Sequence, residues 1–276
     1  MTPRSRNGWQ SEPKWRPKAG AQSSSPFRTT MDNGPAAPFY RPISILVSGA
    51  STASPGRPLL GASAHWEEGG QLYWEGEVEE CINGRTVADR AYFGIDVSRI
   101  VERLTGERLD DGGWNCERVR GSLRSSFAST INVLEGLLEF ERSTGGTPQS
   151  REACSTGEKF LLERNLFRRL GTGEPADERF LRFLHPNRWR YDILRALDYF
   201  RSSAMLTGAD PDPRLGEAIG HLRSRRSNDG RWLLDWTLPG RVWFHVNEAQ
   251  GQPSRWITLR AMRVLRWWDR QASIRH

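Results

Sequence analysis

The sequence predicts an all-α fold built from pairs of helices, and three observations support this class. Apolar residues recur with helical spacing from residue 94 onward. A short loop that contains Gly and ends in Trp occurs twice between such helices, and the alternating pattern of a β-strand is sparse. Because no apolar run approaches the ~18 residues that a membrane-spanning helix needs, no membrane span is predicted.

Two kinds of helix alternate along the chain. One kind carries a single apolar stripe, as in the segments from Val97 to Leu104 and from Leu215 to Leu222, and we expect it on the outside of the fold. The other kind is apolar on two faces, at about 124–142 and 254–270, and we expect it on the inside.

Three further helices complete the predicted set. One inner helix is expected to begin near Asn83. A further pair is expected at about 152–168 and 187–201, with Trp189 just inside its second helix. The sequence therefore predicts seven helices.

The same kind of turn precedes two of the inner helices. Its residues are Asp111, Gly112, Gly113 and Trp114 in one copy and Asp229, Gly230 and Trp232 in the other. We interpret both as structural, because Asp and Gly form turns while Trp wedges between helices. The segments that start at Ser126 and Ser254 also align, so the chain contains an internal repeat. A weaker copy, Gly69 and Gly70 with Trp74, precedes the first inner helix.

A helix, a Gly-x-Trp turn and a second helix, repeated around a ring, resembles the α/α toroid of squalene cyclases and protein prenyltransferase β subunits. The stretch from Leu109 to Cys116, followed by 124–127 and 133–137, is similar to small bacterial proteins described as prenyltransferase-like or squalene-cyclase-like. The resemblance covers residues 66–270. It implies an incomplete toroid whose Trp- and Phe-lined ring binds a small, largely apolar ligand, with an isoprenoid as one candidate.

The catalytic signatures of that superfamily are absent. The Asp-x-Asp-Asp acid of squalene cyclases does not occur. The zinc-binding Asp-x-Cys of prenyltransferases is also absent, because the residues two before Cys81, Cys116 and Cys154 are Glu79, Trp114 and Glu152. We therefore predict no squalene cyclisation. Two functions stay open: a ligand-binding toroid with or without catalysis, and a non-catalytic helical scaffold or pseudoenzyme of the same fold.

The two ends of the chain are predicted to lie outside the folded domain. Residues 1–65 hold nine of the 16 prolines and carry eight basic and two acidic residues, so we expect a disordered segment. Residues 271–276 are expected to form a short tail. Residues 66–276 hold 32 basic and 31 acidic residues, which argues against nucleic-acid binding by the folded part.

The chain has three cysteines, an odd number without a Cys-x-x-Cys pair, so reduced thiols and a cytoplasmic location are expected. Glu79, Cys81, Cys116 and His185 all lie near predicted starts of inner helices, and zinc accepts ligands of these types. None of them has the short spacing of a metal motif. We therefore predict no metal ion and no cofactor.

The candidate site residues lie where inner helices are expected to begin. Asp192 is the candidate catalytic acid, and a capping acid at a helix N-terminus is the alternative. Arginines at such positions are disfavoured by the helix dipole by ~0.3–1 kcal/mol, which suggests an anionic ligand such as a diphosphate. The candidate ligand-binding residues are Glu79, Cys81, Arg85, Asn115, Cys116, Arg124 and Tyr191.

An incomplete ring leaves an open edge. One flank of the helix that contains Thr86 is expected to lack a neighbouring helix pair. Exposed apolar surface of this kind tends to recruit a partner, so a homodimer through the open edge is an expectation.

Overall fold

The computed structural model describes residues 65, 66, 69–240 and 245–274. Within these residues the chain forms seven α-helices and no β-strand, which confirms the predicted class and the predicted number of helices. The segment expected to be disordered, 1–65, lies outside the described residues apart from its last residue. No helix in the described part is long and apolar enough to cross a membrane.

The helices fall close to the predicted segments. Their bounds are α1 Glu80–Tyr92, α2 Ser98–Gly106, α3 Phe127–Thr144, α4 Pro148–Leu162, α5 Ile193–Thr207, α6 Gly216–Ser224 and α7 Arg255–Ile274. Helix α7 continues past the predicted domain boundary at residue 270, so most of the segment expected to be a tail is helical.

Polar caps determine where the longer helices begin. Ser126, Thr147 and Asp192 each accept a hydrogen bond from the backbone N–H three residues further on, before α3, α4 and α5 respectively. Gly145 and Gly208 end α3 and α5 in the left-handed conformation, with φ of 82° and 76°, which glycine adopts without strain.

The fourth predicted helix pair differs from the structure in its bounds. We expected helices at about 152–168 and 187–201, but α4 begins earlier because Thr147 forms a capping box. Helix α5 begins later because Asp192 caps it. Trp189 therefore lies in the loop before α5, whereas we predicted it just inside the helix.

The two Gly-x-Trp loops attach to the preceding helix in the same way. The indole Nε1 of Trp114 donates to the carbonyl of Leu104 at 2.7 Å, and that of Trp232 donates to the carbonyl of Leu222 at 2.8 Å. Both indoles are buried. The wedge role predicted for the two tryptophans is thus visible in matching contacts.

The two loops also join the following helix in the same way. The backbone N–H of Trp114 donates to Oγ1 of Thr130, and that of Trp232 donates to Oγ1 of Thr258, both at 3.1 Å. The weaker copy does not share the indole hydrogen bond, because Nε1 of Trp74 is buried without a hydrogen-bond partner among the described residues. The repeat seen in the sequence therefore holds in detail for two copies.

The Asp and Gly residues of these loops form the turn. Gly112 and Gly230 have φ of 95° and 82°, where a side chain would be strained. Asp111 accepts hydrogen bonds from a backbone N–H across its loop, and Asp229 accepts one from the N–H two residues further on. A Cβ on Gly113 would lie 2.5 Å from a neighbouring hydroxyl oxygen, so this position has no room for a side chain.

Helices α1 and α3 cross at backbone contact. A Cβ on Gly84 would lie 2.4 Å from the carbonyl oxygen of Asn132, and a Cβ on Gly136 would lie 2.3 Å from the carbonyl oxygen of Gly84. Helix α3 also packs on α4 and α5, and α5 packs on α6 and α7. The helices predicted to be inner, α1, α3, α5 and α7, thus contact one another in chain order.

Helix α7 departs from the two-faced burial that its sequence predicted. Ile257, Ala261 and Val264 form one buried stripe. Trp256 and Leu259, on the other predicted apolar face, are 40% and 48% exposed. The apolar sequence of α7 is therefore only partly used for packing among the described residues.

Candidate functional site

Three potential metal ligands meet where α1 and α3 begin. Glu79 is the N-cap of α1, Cys81 lies in its first turn, and Cys116 begins a short 310 turn just after Trp114. One ligand atom from each of Glu79, Cys81 and Cys116 lies within 4.8 Å of the others. All three residues are partly exposed. We call this set the thiol cluster.

The thiol cluster is held by hydrogen bonds from both helices. The backbone N–H of Cys81 donates to Sγ of Cys116 at 3.3 Å, and the hydroxyl of Ser129 in α3 donates to the same sulfur at 3.2 Å. The hydrogen bond with Cys116, followed by burial, raises the pKa of the Cys81 thiol well above its ordinary value. In the protein without a metal ion, Cys81 is therefore a thiol at neutral pH.

A buried ion pair supports the first turn of α1. Glu80 is fully buried, and Nε of Arg118 lies 2.6 Å from its carboxylate. Burial raises the pKa of Glu80, although Arg118 opposes this shift. Arg118 also lies 2.7 Å from Glu107, so the 310 turn that begins at Cys116 is tied to both α1 and the end of α2.

The third cysteine lies elsewhere. Cys154 is in α4, and burial raises its pKa to about 12. His185, which we grouped with the thiol cluster on sequence, instead stacks on Trp256 with ring centroids 5.6 Å apart. The structure thus brings together three of the four ligand candidates and places His185 elsewhere.

A second candidate site is an open cavity of about 690 Å³ beside the start of α3. We call it the rim groove. Its apolar lining residues are Leu123, Phe127, Phe160, Leu170 and Ala176. Leu123 and Leu170 are 82% and 62% exposed, so two large aliphatic side chains face solvent at this cavity.

The rim groove is also rich in arginine. Arg124, Arg164, Arg168 and Arg169 line it together with Asp110 and Asp111. Arg164 lies 4.0 Å from Asp111, and Arg168 pairs with Glu217. Within the part of the chain that the structure describes, no ion pair involves Arg124 or Arg169. The groove therefore combines apolar walls with two exposed cations that have no ion-pair partner among the described residues.

Aromatic side chains lie beneath the rim groove. Phe127 contacts Phe160, Phe180 and Tyr191 with ring centroids 5.1–5.6 Å apart. The Tyr191 hydroxyl donates to the carbonyl of Leu166 at 2.6 Å, and burial raises the pKa of Tyr191 well above its ordinary value. Tyr191, a predicted ligand-binding residue, therefore lies under the groove wall as a buried packing residue.

Asn115, another predicted ligand-binding residue, shapes the loop between the two sites. Its Oδ1 accepts from the backbone N–H of Glu117 at 3.0 Å. Its Nδ2 donates to the carbonyl of Arg124 at 2.6 Å and to the hydroxyl of Ser122 at 2.9 Å. Asn115 thus positions the backbone that carries Arg124.

A third cavity, of about 370 Å³, receives residues from α1, α3, α5 and α7. We call it the central cavity. Its charged lining residues are Arg85, Asp89, Glu135, Glu139, Arg142, Arg195, Asp198 and Arg260. Four cations and four anions are present, and among the described residues no Trp lines this cavity. The described lining of this cavity is therefore mostly charged, with Phe93 as its one phenylalanine.

The charges of the central cavity pair with each other. Arg195 lies 2.6 Å from Glu135, Arg260 lies 3.2 Å from Asp198, and Arg85 lies 3.6 Å from Asp89 within α1. Burial disfavours the charged forms of Arg195 and Glu135, but their contact outweighs it, raising the pKa of Arg195 and lowering that of Glu135. Arg85, a predicted ligand-binding residue, therefore belongs to this cavity and lies apart from the thiol cluster.

Asp192, the predicted catalytic acid, is fully buried and acts as a helix cap. Its carboxylate accepts hydrogen bonds from the backbone N–H of Arg195 at 2.7 Å, from that of Leu184 at 3.3 Å, and from Nδ2 of Asn187 at 2.7 Å. Burial raises its pKa, although Arg260 and these donors oppose the shift. Asp192 lines neither the rim groove nor the central cavity.

The sequence alone missed most of the rim groove. Arg169 and Leu170 follow α4 in a loop, and neither they nor Leu123 are among the residues that the sequence predicts for a site. An Arg-Arg-Leu run after a helix was the available signal. Comparison with known proteins adds no candidate: no family model, no curated protein and no solved structure matches this chain.

Proposed function

We propose that this chain binds a small amphiphilic anion in the rim groove, with an isoprenoid-like chain on the apolar walls and a phosphate or diphosphate at the arginines. The fold proposed with it is the incomplete α/α toroid, which the resemblance in sequence suggested. The matching Gly-x-Trp loops and the chain-order contacts of α1, α3, α5 and α7 support that arrangement.

The observation that carries the proposal is the juxtaposition of exposed leucines and unneutralised arginines around one cavity. Leu123 and Leu170 expose large aliphatic surfaces beside Arg124 and Arg169. Burying an aliphatic ligand chain there gains ~25 cal/mol for each Å² removed from water. An arginine can bind phosphate oxygens with two parallel hydrogen bonds, which suits an anionic head group.

The size of the rim groove also suits such a ligand. Its volume of about 690 Å³ falls within the ~300–1,000 Å³ of small-molecule sites. The central cavity is smaller and lined by self-paired charges, so it would leave an apolar chain facing ionised groups. The rim groove is therefore the better site for a partly apolar ligand.

The test is a binding titration of the full-length protein with farnesyl diphosphate. Farnesol lacks the head group and inorganic diphosphate lacks the chain, so both should bind more weakly. Arg124→Ala should weaken binding by about 10- to 100-fold, because a charge-assisted hydrogen bond contributes ~1.5–3 kcal/mol. The matched control is Arg99→Ala, since Arg99 is exposed and lies outside the groove.

Two results would reject the proposal. One is equal affinity for farnesyl diphosphate in the Arg124→Ala and Arg99→Ala variants. The other is no measurable binding of farnesyl diphosphate by the folded wild-type protein.

The alternative function is a non-catalytic helical scaffold, and the central cavity favours it. The charged groups from four helices neutralise one another there, as in a structural ion-pair network. If no small molecule binds and mutation of Glu135 lowers only stability, the scaffold function gains support over the binding function.

A further inference from the structure

We propose that Glu79, Cys81 and Cys116 form a three-ligand site for a zinc-type divalent metal ion, with the fourth coordination position open. This proposal goes beyond ligand binding in the rim groove and does not depend on it. It also reverses the sequence-based expectation that the chain holds no metal.

The donor atoms are of the right chemical types. Zinc in proteins is bound by cysteine thiolates, histidine nitrogens and carboxylate oxygens, usually four in a tetrahedron. Two sulfurs and one carboxylate oxygen are soft enough to favour zinc over the hard cations Mg²⁺ and Ca²⁺, which prefer oxygen ligands. The thiol cluster supplies this set within the described residues.

The spacing of the donor atoms is close to that of a bound site. Tetrahedral coordination with Zn–S of ~2.3 Å places neighbouring sulfurs about 3.8 Å apart. In the structure all three ligand atoms lie within 4.8 Å of each other, and Sγ of Cys81 is 3.8 Å from Oε2 of Glu79. Side-chain adjustments of about 1 Å therefore complete the geometry.

The surroundings of the thiol cluster fix the positions of its ligand atoms. Glu79 and Cys81 lie at the N-terminus of α1, a helix of 13 residues, whose positive end stabilises negative charge. Sγ of Cys116 accepts hydrogen bonds from Cys81 N–H and Ser129 Oγ. Such contacts to a ligating atom are what orients ligands in metal sites.

The number of protein ligands distinguishes this site from a structural zinc site. Structural zinc sites are usually closed by four protein ligands, whereas three protein ligands leave a position for water or a substrate. No fourth His, Cys, Asp or Glu joins the cluster in the described part of the chain, and its three members are partly exposed to solvent. A metal ion here would therefore hold an exchangeable ligand at the N-termini of α1 and α3.

The test uses the full-length protein, reduced and freed of metal, titrated with Co²⁺ as a spectroscopic probe and with Zn²⁺ as competitor. We expect one Co²⁺ per chain, with a thiolate-to-cobalt charge-transfer band that Zn²⁺ abolishes. Cys81→Ser and Cys116→Ser should each weaken binding by more than about 100-fold, beyond the ~10–100-fold typical of losing a supporting contact. Cys154→Ser is the matched control and should bind as the wild type does.

A second measurement needs no variant. Zn²⁺ should slow alkylation of Cys81 and Cys116 in the folded wild-type protein. Absence of the charge-transfer band in the reduced wild-type protein would overturn the proposal, as would a band that survives in both cluster variants. A Cys81–Cys116 disulfide in protein isolated in air, with no metal bound after reduction, would assign the two thiols to redox chemistry instead.

Discussion

The crossing of α1 and α3 provides a sharp test of the fold, through the substitution Gly84→Ala. The added Cβ would lie 2.4 Å from the carbonyl oxygen of Asn132 and 2.7 Å from Cα of Val133. Both neighbours are backbone atoms of α3, so no side-chain rotation can relieve the contact. The two helices must move apart by about 1 Å to restore normal van der Waals distances.

The expected magnitude follows from two opposing terms. Overpacking a core typically costs ~1–3 kcal/mol, and a backbone clash belongs at the upper end of that range. Replacing Gly by Ala inside a helix stabilises the helix by ~1 kcal/mol, because Ala has the higher helix propensity. We therefore expect Gly84→Ala to lower the free energy of unfolding by about 2 kcal/mol, or the melting temperature by about 4–8 °C for a domain of ~200 residues.

The matched control is Gly220→Ala, in the middle of the short helix α6. Nothing lies within 4 Å of a Cβ at Gly220, so this variant gains helix propensity without a clash. It should raise the free energy of unfolding by ~0.5–1 kcal/mol. Urea denaturation followed by circular dichroism measures both variants. Equal effects of the same sign would show that α1 and α3 do not cross at backbone contact.

Two further predictions concern groups near the start of α5. Asp192→Ala should lower the free energy of unfolding by about 3 kcal/mol, since a cap is lost and buried donors are left without a partner. Asp212→Ala removes a partly exposed cap before a 3-10 turn and should cost less than about 1 kcal/mol in the same urea assay. Burial, followed by the charge of Arg260, lowers the pKa of His185 from 6.5 to about 4. Between these two pH values the unfolded chain therefore binds a proton at His185 more readily than the folded chain does. The free energy of unfolding should therefore fall as pH decreases from 6.5 towards 4. Between pH 6.5 and 5 the wild type should lose about 1 kcal/mol more than His185→Gln, after discounting for partial solvent exposure. Equal pH dependence of the two proteins would refute this prediction.

The sequence predicted the local repeat well because its signal is local. Gly112 and Gly230 are needed for positive φ, and each following Trp has its indole within hydrogen-bond reach of the preceding helix. Such short-range requirements leave a readable pattern. The class of the fold and the number of helices followed from the same periodicity.

The contacts between helices could not be predicted in the same way. In the sequence, Gly84 and Gly136 are glycines that lower the helix propensity of their segments. Only the structure shows that they allow α1 and α3 to cross at backbone contact. The central cavity is similar, because Arg195 and Glu135 are 60 residues apart and become partners only through the packing of α3 and α5. Composition does not say which helix face turns inward, so the charged lining of the central cavity was not predicted.

The two proposed sites share one structural origin, the segment that follows a Gly-x-Trp turn. In both repeats the carbonyl of the Trp accepts a hydrogen bond at 2.8 Å from the N–H of the next cap, Ser126 or Ser254. The residues between, 115–125 in one copy and 233–253 in the other, differ in length although the same bond closes their base.

Loops anchored on a rigid base can vary without disturbing the helices, and functional side chains concentrate on them for that reason. The shorter loop carries Cys116 of the thiol cluster at its start and Leu123 and Arg124 of the rim groove at its end. Because the repeat fixes both ends of this loop, it also fixes the separation of the thiol cluster and the rim groove. The side chains within the loop can still differ between the two copies of the repeat.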